Sequence, residues 1–128
     1  MIIKNEQIGT IISFLDSMSL KGRKSLGRTK LKEKLVDKNE IFGKDQQEII
    51  DEYDAWIDKE KLQYKLPIDE SRETMKDLLE QEVEITYNSP FRKDFVKALE
   101  DYEGELEGHQ ADAYALLYEK LIEEKENE

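Results

Sequence analysis

No cysteine occurs anywhere in the chain, and histidine and tryptophan occur once each. Without cysteine there can be no disulfide, no thiolate metal site and no thiol nucleophile for His109 to activate. A solitary histidine also lacks a second imidazole to share a metal or a proton. The serines sit in no strand-turn-helix elbow. Gly22 and Gly27 flank Lys24, but the Gly-Lys-Ser/Thr ending of a phosphate-binding loop is missing. Catalysis and a bound cofactor are therefore not expected. Long apolar runs are missing too, so no membrane span is expected. Met1-Ile2-Ile3-Lys4-Asn5 turns polar too soon for a signal peptide, which leads us to expect a soluble, intracellular protein.

What the chain has in quantity is charge. Charged residues make up 40% and hydrophobic residues 38% of its 128 positions, the balance of slender helices that each bury one stripe. This length suits one domain with one core, so residues 1–128 are read as a single helical domain whose residues 122–128 fray. The periodic apolar positions argue against disorder. Residues 1–34 hold eight Lys/Arg against three Asp/Glu, a net +5, and the remainder holds twelve against twenty-eight, a net −16. The total of −11 should keep most of this surface away from nucleic acid.

One stretch organises the rest. Leu35, Phe42, Ile49 and Trp56 recur every seven residues, and Leu31, Ile50, Tyr53 and Ile57 widen the stripe. That pattern predicts an amphipathic helix over Thr29–Ile57, roughly 40 Å long, against which every other helix packs. Gly43 is its weak point, and a kink or two separate helices there is the alternative. Ser25 or Thr29 could cap it, and Gly27 favours a start near Thr29.

Before it, Asn5 looks like the N-cap of a first helix running to Met18, with Ile8, Ile11, Ile12 and Leu15 on its buried face. After it, Leu62, Tyr64 and Leu66 alternate as a strand does, closed by Pro67. Asp69 or Ser71 caps a third helix carrying Met75, Leu78 and Leu79. Val83 to Tyr87 alternates again and is the expected partner of the 62–66 strand. Ser89-Pro90 starts a fourth helix burying Phe91, Phe95, Ala98, Leu99 and Tyr102. A last helix covers about Gln110–Glu124. The fold expected is mainly α with a minor α+β character: a helical domain on one long central helix, with a two- or three-stranded β element.

Two clusters are candidate binding surfaces. Glu48, Asp51, Asp54 and Asp58 would share one helical stripe and present four carboxylates. Oxygen ligands suit magnesium or calcium, but the glycine-containing loop of a calcium hand is missing and no histidine accompanies them, so a solvated acidic face is the reading and no metal site is assigned. Lys21, Arg23, Lys24, Arg28 and Lys30, with Lys32 and Lys34, form a basic segment that could meet phosphates or an acidic protein. It carries no aromatic residue for base stacking, and neutralising the chain's own acidic part is the preferred reading.

The runs Ile3-Lys4-Asn5, Ile12-Ser13-Phe14-Leu15, Leu20-Lys21-Gly22-Arg23-Lys24-Ser25 and Arg28-Thr29-Lys30 resemble small proteins of tailed phages and prophages, catalogued as domain of unknown function 1617. Glu48 to Tyr53 and a late helix carrying Tyr114 fit the same pattern. Leu26 stands where that pattern tends to have arginine. The resemblance implies a phage or prophage origin and no activity. By analogy, it points to a non-enzymatic protein that binds and modulates a host or competing-element protein in the host cytoplasm, including as an acidic DNA mimic against a defence nuclease. The alternative is a structural or assembly component of the tail module. The expected partner is a protein or a second copy of the chain, with no membrane and no general nucleic-acid binding.

Overall fold

The computed structural model describes residues 1–53, 56–58, 63–65 and 69–124. In chain order these form β1 (Ile2–Lys4), α1 (Asn5–Ser17), α2 (Gly22–Glu52), β2 (Trp56–Asp58), β3 (Gln63–Lys65), α3 (Asp69–Glu80), β4 (Glu82–Glu84), α4 (Arg92–Glu100) and α5 (Gly108–Tyr118). A π-helical turn, Glu119–Glu123, extends α5. The fold is mainly helical around one long helix, with small antiparallel strand pairs beside it.

The long helix starts and stops earlier than its apolar period predicts. Its 31 residues run unbroken through Gly43, about 45 Å at 1.5 Å per residue. Neither Ser25 nor Thr29 caps it: both lie inside the helix, and Ser25 Oγ accepts a hydrogen bond from Arg28. Gly27 is not a breaker but the point of closest approach of α4. A methyl group there would meet Phe95 Cβ at 2.7 Å and the Phe91 carbonyl oxygen closer still. At the other end Tyr53 is the C-cap, and Trp56–Asp58 leave the helix to form a hairpin with β3, Ile57 facing Tyr64. The burial expected of Trp56 and Ile57, and the sites of Leu62, Leu66 and Pro67, lie outside the described side chains.

The expected pairing of the 62–66 strand with Val83–Tyr87 does not form. β4 pairs antiparallel with β1, Ile3 opposite Val83. Asn5 is the reason. Rather than capping its own helix, it is buried as the first residue of α1, with its side-chain amide donating to the Leu78 carbonyl at 2.9 Å and its backbone N–H to Gln81 at 3.0 Å. That bond holds the start of α1 on the end of α3, so the residues just before α1 lie along those just after α3. Gln7 takes over the cap, its side-chain oxygen accepting the Lys4 N–H at 2.8 Å. For β2 and β3 the short connection makes local pairing the cheaper closure.

The centre of the core is α1 as much as α2. Five of the 13 residues of α1 are buried, against four of 31 in α2, so α1 must be covered on more sides. It packs on α2, α3 and α5, while α2 packs on α1, α3 and α4. The principal partner of α5 is therefore α1 and not the long helix. Ile8, Ile11, Phe14 and Leu15 meet Leu31 and Leu35 of α2, Phe95 and Leu99 of α4, and Leu117 and Leu121 in one cluster. Phe14 stands edge-on to Tyr102 and Tyr114, with ring centroids 5.7 and 6.0 Å away, a favoured aromatic geometry.

Candidate functional site

The basic segment, once folded, is mostly occupied with its own molecule. Arg23 meets Asp94 of α4 at 3.1 Å and lies 4.9 Å over the Phe91 ring. Half-buried Arg28 donates to the Met18 carbonyl at the C-terminal end of α1, where a helix favours a cation. Lys32 reaches Asp16 of α1 at 2.5 Å, and Lys30 pairs with Glu33 at 3.7 Å. Apart from the Lys30–Glu33 pair, which lies within α2, these contacts tie α2 to α1 and α4. Among the described residues Lys21, Lys24 and Lys34 stand exposed without an ion pair.

The four-carboxylate stripe is not assembled. Glu48 and Asp51 lie exposed on the last turns of α2, and Asp51 accepts a hydrogen bond from Gln47 at 2.9 Å. Asp58 belongs to β2 because the helix ends before it, and Asp54 lies outside the described residues. Among the described residues no three His, Asp or Glu converge as metal ligands would. The acidic character of this end comes instead from two helices side by side. Gln46 of α2 touches Met75 of α3, and the Tyr53 hydroxyl donates to Glu70 at 3.3 Å. Residues 44–52 and 69–80 together hold nine Asp/Glu against three Lys/Arg, a net −6.

The structure adds a site that sequence reasoning missed. Two hollows of about 400 Å³ each adjoin between α1, α2 and α5 and share Glu6, Thr10 and His109. Ile11, Ala113 and Leu116 floor the first, with Gln7 and Asp112 at its edge. Gly9, Phe42 and Asn5 floor the second, with Ser13, Asn39 and Gln110 around it. The groove exists because α1 turns small residues outward here: a Cβ on Gly9 would meet nothing within 4 Å. Glu107 is the N-cap of α5 and Gly108, at φ +54°, opens the helix, which brings exposed His109 over α1.

The rim of this groove differs from the basic segment in one respect. Among the described residues, the side chains of Glu6, Thr10, Ser13, Asn39, His109, Gln110 and Asp112 make no hydrogen bond or ion pair within the molecule. The His109 ring is accordingly not oriented by a hydrogen bond to another side chain among the described residues. What the groove offers is an apolar floor, two carboxylates and several uncommitted polar groups.

A family model described as protein of unknown function (DUF1617) matches residues 1–128. The chain belongs to this family. No curated protein and no solved structure matches it. In this DUF1617 chain no helix among the described residues is long and apolar enough to cross a membrane. The groove had no sequence signal of its own: Glu6 and Thr10 are a hundred positions from His109 and Asp112, and each reads as an ordinary polar residue on a helix face.

Proposed function

We propose that this is a phage- or prophage-encoded, non-enzymatic protein that binds and modulates a host or competing-element protein through its acidic side. The observation that carries the reading is the contrast in how the two charge signs are used. Arg23, Arg28, Lys30 and Lys32 are engaged within the molecule with only Asp94, Glu33 and Asp16 as acidic partners, while Glu6 and Asp112 stand exposed with no ion pair among the described residues. A chain of net −11, with four cations of its basic segment tied up in this way, suits a basic partner surface, including the DNA-binding groove of a nuclease.

The test is capture of host proteins on immobilised chain at rising salt. Binding should weaken steeply with salt, survive Lys21→Glu with Lys24→Glu, and be displaced by duplex DNA if the target is a nuclease. Loss of binding in that double variant would assign the work to the basic segment. Tight binding of the free protein to duplex DNA at physiological salt would overturn the reading, and so would co-sedimentation with assembled particles and no soluble partner.

A further inference from the structure

We propose that the groove between α1, α2 and α5 receives a basic amphipathic helix of the partner protein. The inference rests on the protein-binding reading above and names the surface and the shape of what it binds. The floor asks for an apolar side chain: Ile11 and Ala113 are buried, and half-buried Leu116 and Phe42 present surface that nothing in the molecule covers fully. The rim asks for a cation. Glu6 and Asp112 stand exposed on opposite walls, and among the described residues neither has an ion pair and no lysine or arginine lines either hollow.

The shape selects a helix over a small molecule. A small ligand needs most of its surface enclosed, whereas these two hollows open side by side as a trough walled by helices. A helix laid in such a trough places apolar anchors at three- and four-residue spacing on the floor and its flanking charges at the rim. Gly9 permits the close approach, since no side chain stands between its backbone and the trough. A lysine or arginine between Glu6 and Asp112 would then gain two carboxylate partners from which it excludes water, a stronger contact than either acid makes with solvent.

The experiment uses the ¹⁵N-labelled full chain and, as probe, a four-turn amphipathic peptide of leucine and lysine. Amide shifts should concentrate at Thr10, Ile11, Ser13, Asn39, His109 and Ala113. Gly9→Trp, which fills the hollow from a position where added atoms meet nothing, should weaken binding on the order of tenfold or more. Glu6→Lys with Asp112→Lys should do the same, while Glu48→Lys with Asp51→Lys leaves it nearly unchanged. Circular dichroism checks that each variant folds, and the two exposed charge reversals keep the test alive should the tryptophan disturb α1. Shifts centred on residues 44–52 or 69–80 would overturn the proposal. So would equal binding of a leucine–glutamate peptide, or the same groove shifts appearing on concentrating the chain alone, which would make a second copy the occupant. A natural partner that is still captured by both groove variants would sink this docking mode and leave the protein-binding function standing.

Discussion

Two glycines lie in the interior of α2, and a methyl group has opposite consequences at them. At Gly27 it collides with the Phe91 carbonyl and Phe95 of α4, so Gly27→Ala should destabilise the protein by on the order of 1–3 kcal/mol, as overpacked cores do. At Gly43 the added carbon meets nothing within 4 Å, so Gly43→Ala should stabilise by about 1 kcal/mol through helix propensity alone. Urea midpoints of the two variants, moving in opposite directions, check both. Tyr87 gives a pH prediction at the same scale. Its hydroxyl donates to the Gly27 carbonyl at 2.5 Å, and burial pushes the phenol well above its usual value of 10, against the opposing pull of Arg92. A raised folded-state value means the contribution is complete below pH 10 and is lost as pH climbs toward the folded value, because the unfolded phenol ionises first. Melting temperatures should therefore fall above pH 10. Tyr87→Phe should flatten that fall while lowering stability at neutral pH by about 1 kcal/mol for the lost hydrogen bond.

At the scale of elements, the long helix buries itself at its N-terminal half and at one late turn. Leu31 and Leu35 are fully enclosed and Ile49 is 8% exposed, while Phe42 is half-buried at the groove and Ile41 is 55% exposed. Leu31→Ala and Leu35→Ala should each cost on the order of 2–5 kcal/mol. Phe42→Ala should cost only about 1 kcal/mol, roughly half the transfer free energy of its ring, because solvent already reaches it. Calorimetric melts separate the cases, and equal losses at positions 35 and 42 would show that the groove closes over Phe42 in solution. The ends of α2 also carry charge of the sign the helix dipole disfavours, with no acid in the first turn and no base in the last. Asp94 offsets this at Arg23. At the far end Asp51 and Glu52 have no such cation beside them among the described residues.

For the whole molecule, the question is whether ion pairs or self-repulsion dominate. The pairs are exposed: Arg23–Asp94, Lys30–Glu33 and Lys97–Asp101 all have a partner with more than half its side chain in solvent, where such contacts contribute little. A net charge of −11 on 128 residues repels itself over distances that salt shortens to about 10 Å at 0.1 M. Raising sodium chloride from low to moderate concentration should thus raise the melting temperature. A fall instead would mean that the ties from the basic segment to α1 and α4 outweigh the repulsion.

The sequence by itself determined the helical class, the existence and approximate span of each helix, and the apolar faces of α1 and α4, because a 3.6-residue period needs no knowledge of a partner. It also determined the charge asymmetry that the functional reading uses. Where it misled, a second element was deciding. Gly27 reads as a helix breaker until α4 lies against it, and Asn5 reads as a cap until the Leu78 carbonyl is beside it. Strand alternation identified Val83 to Tyr87 as extended without saying that Ile3, eighty residues earlier, would be opposite. The stripe of Glu48 to Asp58 assumed a helix that the β2–β3 hairpin ends. The groove belongs wholly to the tertiary structure, since a concavity is the space that α1, α2 and α5 leave between them, and no residue carries a mark of the space it will face.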